Sequence, residues 1–329
     1  MATVSILPCI EIVTPSLPGS DNGNAHTAGR WARFLAPMAQ VRITTAWSGA
    51  TAAALIALHA WRSAQSIERF HLAYPGSPLA IVLTGTDLYR DIPHEAGAMQ
   101  ALLRASHLVV LQEEALHSLP PLAADVRVIE QSATRMARHD KARRHFDFVA
   151  IGHLRDEKNP QVLLDAARLL PETLANDLPP RVLHIGTALQ PHWQRAAEVA
   201  LREIPPYHWL GGVPQRAARR WIARARALVH MSRMEGGAHV VIEAIRSQVP
   251  VLASRIDGNV GLLGRAYDGY FPPGDAQALA RLMQRFAAEP AFAAKLAAQC
   301  ALREPRFAPA VERAAVQTLA CDLFASRIS

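Results

Sequence analysis

The sequence predicts an α/β chain built on doubly wound parallel sheets, arranged as two Rossmann-like domains. Three observations carry that expectation. Short apolar runs of strand length alternate with helical segments along the whole chain, as βαβ units require. The alternation starts afresh at Phe146-Asp-Phe-Val-Ala-Ile-Gly152, after an Arg-rich connection at 135–144. The length of 329 residues is enough for two hydrophobic cores.

Half of the residues are hydrophobic and 19% are charged, a globular composition. The net charge of +7 comes almost wholly from arginines spread along the chain, with Lys141, Lys158 and Lys295 as the lysines. A dispersed surplus of this kind does not form the basic stripe of a nucleic-acid reader, so no nucleic-acid partner is expected. Cys9, Cys300 and Cys321 are odd in number and lack metal spacing, which points away from a disulfide framework and towards a reducing cytoplasm. Glu11 interrupts the first apolar stretch, so neither a signal peptide nor a membrane partner is expected. The longest apolar run, near Thr51 to Ala60, is too short to span a bilayer.

Taken in order, Val4 to Val13 reads as a buried strand. A loop rich in turn residues, Thr14 to Asn24, follows it, and helical spacing begins near His26-Thr27. Val41 to Ala46 is a second strand. Leu55 to Leu58 is a third, running into His59-Ala-Trp-Arg-Ser63, and Leu79 to Leu83 a fourth, running into Thr84-Gly-Thr-Asp-Leu-Tyr-Arg-Asp91. Leu108 to Leu111 and Val126 to Ile129 are the fifth and sixth. In a parallel sheet these polar loops share one rim, at the carboxyl ends of the strands, where ligands bind.

The second series begins at Phe146 to Gly152, with Arg155 and Lys158 in the loop before a helix from Gln161 to Leu170. Val182 to Ile185 ends at Gly186, and a further strand ends around Tyr207-His-Trp209. Ala227 to Met231 is a buried strand. Glu235-Gly236-Gly237 breaks the pattern, and helical spacing resumes from Ala238 to Ser247. Val249 to Ala253 is the next strand, ending in a loop from Ser254 to Gly261. Asp275 caps a helix to Glu289, and Arg306 to Arg327 reads as a terminal amphipathic helix.

The strand, glycine turn and helix start around Gly236-Gly237 present free N–H groups to an anion. Glu235 on the loop and Glu243 within the helix place two carboxylates where both can face one ligand, and His239 lies between them. Arg155 and Lys158 offer two cations to a diphosphate leaving group. A ligand with a diphosphate and several hydroxyls suits this set. The plainer alternatives are a surface helix with two unrelated acids, and two exposed cations beside Asp156 and Glu157. The flanking buried strands and the Gly pair favour a site.

The Glu-x7-Glu spacing of Glu235 and Glu243 resembles the donor signature of the GT-B glycosyltransferases of family 4, and Arg155 with Lys158 resembles their Arg…Lys pair. That resemblance implies two domains facing a cleft, with residues 1–145 binding the acceptor and 146–305 the donor. It also implies that the terminal helix, 306–329, crosses back to the first domain. In this family the first Glu contacts the donor sugar and the second the ribose. Gly186 and Trp209, at neighbouring strand ends, complete the implied donor set. Many members carry a His where this chain has Thr84, Thr86 and Asp87, a departure that counts against an ordinary hydroxyl acceptor.

A closer resemblance covers nearly the whole chain. Gly23-Asn24, Thr27-Ala28 with Arg30-Trp31, Ala57-Leu-His-Ala60 with Arg62-Ser63, the Leu83 to Asp91 run, Gln131-Ser132, Glu235 to His239, and Asp257-Gly-Asn259 with Gly261-Leu-Leu-Gly264 together look like the selenosugar synthases of selenoneine biosynthesis. The Thr84 to Asp91 run is the most specific part. The resemblance implies transfer of a sugar from UDP-N-acetylglucosamine or UDP-glucose to selenophosphate, with loss of UDP and phosphate. It implies no metal or other cofactor, and hand-over of the product to a downstream enzyme of that pathway. By this resemblance Asp87, Glu235 and His59 are the candidate catalytic residues. Gly23, Asn24, Thr27, Arg30, Arg62, Thr84, Thr86 and Arg90 would hold the acceptor phosphate. Asp87 is expected to orient the loop or a donor hydroxyl, since an anionic acceptor has no proton for a base to remove. Two other functions fit part of the pattern. One is a family 4 enzyme acting on a hydroxyl of a lipid, oligosaccharide or small molecule. The other is a non-catalytic nucleotide-sugar-binding protein, against which the presence of Glu235, Glu243, Arg155 and Lys158 together speaks.

Overall fold

The computed structural model describes residues 7–17, 19, 22–137 and 139–326, with residue 176 described by its backbone alone. Val4 to Ile6 of the expected first strand, part of the loop after it, Arg138 and Arg327 lie outside the described residues. The chain divides into two compact units, Met1–Gln131 with Pro309–Ser329, and Ser132–Ala308. No helix among the described residues is long and apolar enough to cross a membrane.

The first unit runs β1 (Cys9–Val13), α1 (Gly23–Leu35), β2 (Gln40–Thr44), β3 (Ala54–Leu58), α2 (Ala64–Ala73) and β4 (Leu79–Leu83). After β4 come a π-helical turn at Asp87–Asp91, α3 (Ile92–His94), α4 (Ala96–Arg104), β5 (His107–Val110) and β6 (Asp125–Val128). Its described strands form one parallel sheet in the order β2-β1-β3-β4-β5-β6. β3 and β4 are buried along their whole length, which is why they read as unbroken aliphatic runs rather than alternating ones. The winding reverses between β1 and β3, so the loops after these two strands flank a topological switch point.

The second unit runs β7 (Phe146–Ile151), α5 (Pro160–Arg168), β8 (Pro180–Ile185), α6 (Pro191–Glu203), β9 (Tyr207–Trp209), α7 (Gln215–Arg224) and β10 (Ala227–His230). It continues with α8 (His239–Arg246), β11 (Val251–Ser254), α9 (Asp257–Leu263), β12 (Tyr270–Phe271), α10 (Ala276–Ala288) and α11 (Pro290–Arg303). The sheet is again parallel, in the order β12-β11-β10-β7-β8-β9, and its winding reverses between β7 and β10. Asp275 caps α10 as expected, its side chain accepting the Ala278 N–H.

Helix α12 (Pro309–Ala325) belongs to the first unit. Val316, Leu319, Ala320 and Leu323 enter the same apolar cluster as Trp31 and Leu35 of α1. At the centre of this contact the buried carboxylate of Glu312 accepts from Arg30 Nε at 2.7 Å and Trp31 Nε1 at 2.9 Å. Gln317 adds a bond from Nε2 to the Phe34 carbonyl.

Several local expectations are corrected. α1 starts at Gly23, ahead of His26, because the Asn22 side chain accepts the Ala25 N–H and caps the first turn. Residues 254–261 are not all loop. α9 begins at Asp257, held by the Asn259 side chain, whose Nδ2 donates to the Ser254 carbonyl at 2.8 Å. The turn after β4 is π-helical, its Ile92 N–H reaching back to the Asp87 carbonyl. The Arg-rich connection starts inside the second unit. The Ala133 N–H bonds the Phe307 carbonyl, and the Arg246 and Arg219 side chains bond the Ala133 and Thr134 carbonyls.

Replacing Glu312 by Ala leaves the Arg30 guanidinium in a largely buried position without its counter-charge, a loss that costs about 3–5 kcal/mol. Urea unfolding is expected to show that loss for Glu312→Ala and a smaller one for Glu312→Gln, which keeps an acceptor for Trp31. A change below about 1 kcal/mol in both would mean that this contact contributes little to holding α12.

Candidate functional site

In the second unit the loops after β7 and β10 lie at its switch point, and each brings one member of an ion pair. Lys158 Nζ donates to Glu235 Oε1 at 2.5 Å. The backbone arranges this contact, since the Arg233 N–H bonds the Glu157 carbonyl at 2.8 Å and ties one loop to the other. A Cβ on Gly258 would lie 2.2 Å from the Glu235 carbonyl oxygen, so the start of α9 can sit against this loop only with glycine there. Ser254 Oγ donates to the Ser232 carbonyl at 2.6 Å and fixes the loop from the other side.

Burial by itself would raise the Glu235 carboxyl. The charge of Lys158, aided by His230, outweighs it and holds the group well below the ordinary carboxylate range. A carboxyl lowered in the folded state stabilises the fold above its unfolded value of 4.5, and that stabilisation is lost as pH falls through the folded value.

Gly236 and Gly237 form the bend ahead of α8, whose first turn carries no side-chain cap. His239 opens the helix and hydrogen-bonds the Ser132 carbonyl through Nε2 at 3.0 Å. Because a carbonyl only accepts, Nε2 carries the proton. Nδ1 then faces Glu243 Oε1 at 3.6 Å. Glu243 is buried, and the same oxygen accepts from Gln215 Nε2 at 3.2 Å with Arg219 Nε at 3.6 Å. The two glutamates therefore stand in separate polar networks, one anchored on the β7 loop and one on α7. Arg155 lies beside Glu157 at 3.8 Å.

Gly186 meets the β7 loop backbone to backbone. A Cβ there would lie 2.0 Å from the Gly152 oxygen, and the Gly186 carbonyl accepts from Trp209 Nε1 at 2.8 Å. Six of the eight donor candidates, and Glu235, lie on loops or helix starts at the carboxyl ends of one parallel sheet, while Trp209 is the last residue of β9 and Glu243 stands midway along α8.

In the first unit the polar strand ends are bound to one another. Asp87 is fully buried. Its Oδ1 accepts the N–H groups of Thr84 and Gly85 at 2.8 Å each and of Leu88 at 3.1 Å, and Oδ2 accepts the Ala60 N–H at 3.0 Å. Asp87 thus pins the β4 loop to the β3 loop. His59 is also buried and has a left-handed backbone, φ 73°, a conformation that a non-glycine residue holds only when its surroundings enforce it. The Arg62 N–H donates to its Nδ1 at 3.3 Å, so the proton sits on Nε2, 3.0 Å from Thr86 Oγ1. Burial lowers the His59 pKa, opposed by Asp87.

The acceptor candidates divide. Arg62 and Arg90 are exposed at the ends of β3 and β4, Arg90 with Nε on Asp91 Oδ1 at 2.8 Å. Gly23 and Asn24 form the first turn of α1. Thr27 is turned inward, donating to the Gly23 carbonyl at 2.9 Å and accepting from Gln131 Nε2 at 2.6 Å. Arg30 is engaged with Glu312 rather than grouped with Arg62 and Arg90. Gln131, His230, Gly258, Gln215 and Arg219 were not among the expected site residues. Gln131 and Gly258 carried a sequence signal, as part of the Gln131-Ser132 and Asp257-Gly-Asn259 segments of the resemblance.

Residues 132–302 match the family of group 1 glycosyl transferases. The chain belongs to that family. The chain is 26% identical over 210 residues, 56% of its length, to glycosyltransferase 1 domain-containing protein 1 of Xenopus tropicalis, and spans 59% of that protein's length. Its fold is similar to that of the sucrose-phosphate synthase from Thermosynechococcus elongatus, with a TM-score of 0.79 and 16% identity, covering 97% of this chain and 100% of that one. Anabaena HepE, solved in complex with UDP-glucose, gives a TM-score of 0.74 at 14% identity and covers 95% of this chain and 100% of its own. The pneumococcal O-GlcNAc transferase GtfA, in complex with UDP and GlcNAc, gives 0.64 at 12% identity over 82% of this chain and 57% of its own. These likenesses establish a GT-B fold for the chain.

Removing the Lys158 charge leaves burial opposed by His230 alone, so the Glu235 carboxyl is expected to titrate at a higher pH in Lys158→Met than in the parent. Carbon-detected NMR of the glutamate side chains measures this. An unmoved titration would mean that Lys158 is not what lowers Glu235.

Proposed function

We propose that this glycosyl transferase joins selenophosphate to the sugar of UDP-N-acetylglucosamine or UDP-glucose, giving a 1-selenosugar for selenoneine biosynthesis. The donor half rests on family membership and on fold relatives that bind UDP, UDP-glucose or UDP with GlcNAc. In the second unit, Lys158, Arg155 and the uncapped start of α8 supply positive charge for the diphosphate, while Glu235 and Glu243 accept from sugar and ribose hydroxyls.

One observation carries the acceptor half, namely that neither Asp87 nor His59, at the ends of β4 and β3, is free to act as a base. Both oxygens of Asp87 are taken by backbone N–H groups, and His59 has Nδ1 on a backbone N–H and its proton directed at Thr86. A neutral hydroxyl acceptor needs such a base, whereas a selenium anion does not. Thr86, accepting from His59, has its own proton to give an oxygen of the acceptor phosphate, and Arg62 and Arg90 supply positive charge nearby.

In the proposed reaction the selenium lone pair forms the bond to the anomeric carbon as the bond from that carbon to UDP oxygen breaks. UDP leaves with the electron pair, stabilised by Lys158 and Arg155. Water then takes the phosphoryl group, the Se–P bond breaks, and phosphate and the selenol remain. The charges are met by side chains and N–H groups, with no metal assigned a part.

A hydroxyl acceptor is favoured by one detail. Asp91 Oδ2 is buried without a hydrogen-bond partner among the described residues, 3.6 Å from His59 Nε2. A ring turned away from Arg62 would give a base backed by that carboxylate.

Mass spectrometry of purified protein with each UDP-sugar and selenophosphate is expected to show UDP and a 1-selenosugar. UDP release only with hydroxyl acceptors would favour the second reading, and no UDP release with any acceptor would count against both. Asp87→Asn keeps one acceptor oxygen for Thr84, Gly85 and Leu88 and loses the bond to Ala60. It is expected to retain turnover within about tenfold, with an unshifted pH profile. A loss of the 10²–10⁴-fold order typical of a missing general base would overturn the orienting role.

A further inference from the structure

His230 is the last residue of β10 and the one polar residue in the strand Ala227-Leu-Val-His230, directly at the switch point of the second sheet. Its imidazole is buried, with Nε2 3.5 Å from Glu235 Oε1 and 3.3 Å from Ser232 Oγ. A carboxylate oxygen only accepts, so an imidazole directed at it carries its proton on Nε2. Nδ1 is then a buried acceptor without a partner among the described residues. Lys158 bonds the same Oε1. Two donors therefore converge on one oxygen of Glu235, while Oε2 accepts no hydrogen bond among the described residues and the side chain keeps 13% of its surface exposed.

We infer that His230 is a positioning residue for donor binding. Together with Lys158 it holds Oε1 of Glu235 and so presents Oε2 to a hydroxyl of the donor sugar. The inference rests on the donor site proposed above and deepens it. Its physical reason lies in the double demand on Lys158. The same ammonium that anchors Glu235 is a cation for the donor diphosphate, and as it turns towards phosphate its hold on the carboxylate weakens. His230, buried and directed at Oε1, keeps the carboxylate in place while Lys158 is shared. An aliphatic residue at this strand end would fill the same space and give no such hold.

Calorimetry with UDP and with UDP-N-acetylglucosamine or UDP-glucose tests this, because Glu235 is assigned to the sugar and UDP has none. His230→Leu is expected to bind UDP as the parent does and the UDP-sugar about tenfold more weakly, the effect of losing one hydrogen bond to a charged group. His230→Gln places an N–H donor near the position of Nε2 and is expected to restore most of that affinity. His230→Asn, too short to reach Glu235, is expected to behave as His230→Leu. Equal losses for UDP and UDP-sugar in the variants would mean a structural role and overturn the inference, as would identical behaviour of Gln and Asn. If His230→Leu does not fold, the Gln–Asn difference decides alone. A parent protein that binds neither ligand would overturn the donor assignment itself, an outcome distinct from any of these.

Discussion

Two strands of opposite winding direction, β7 and β10, lie side by side in the second sheet, and the loops leaving them carry opposite charges to the same place. Lys158 arrives on one and Glu235 on the other, and the resulting ion pair is mostly withdrawn from solvent. A carboxylate so placed is tolerable only with a cation and further donors around it, which Lys158 and His230 provide. The surrounding backbone serves the same contact through Arg233 on Glu157, Ser254 on Ser232, and Gly258 against Glu235. Without a counter-charge on the β7 loop, Glu235 would be driven towards its protonated form and would lose the acceptor strength on which a sugar site depends.

The first unit meets the same topological situation with the opposite solution. Its switch point, between β1 and β3, lies beside a β4 loop whose carboxylate is consumed by backbone N–H groups. Asp87 there acts as a tie between loops, and its charge is spread over four donors. His59 is forced into a left-handed conformation and has both ring nitrogens engaged. The outward-facing groups are cations and a hydroxyl, Arg62, Arg90 and Thr86. Such a surface suits an anionic ligand that brings its own reactivity more than a neutral one that must be activated.

Much of this was legible in the sequence because it follows from local pattern. Aliphatic runs such as Leu79 to Leu83 marked strands buried on both faces. The polar clusters after them marked the rim, and Glu235-Gly-Gly237 marked a strand-to-helix turn. What stayed hidden depends on partners distant in sequence. Nothing near Arg30 announces that Glu312, 282 residues away, will claim its guanidinium. Thr27 likewise is claimed by Gln131, 104 residues away. The stretch Ser254 to Gly261 reads as loop for a local reason: it is dense in turn formers, and the side-chain bond from Asn259 back to Ser254 that holds the start of α9 leaves no mark in that pattern. His230 gave no signal at all, since one histidine at the end of an aliphatic strand has no periodicity to betray it.

The switch point of the second sheet is the proposed donor site, with Lys158 shared between Glu235 and a diphosphate. A crystal structure with a bound UDP-sugar tests it most directly. The diphosphate is predicted to lie against Lys158 and the first turn of α8, with a sugar hydroxyl on Glu235 Oε2 and Oε1 still held by His230. A nucleotide bound elsewhere on the second unit, with the Lys158–Glu235 pair closed and untouched, would contradict the account.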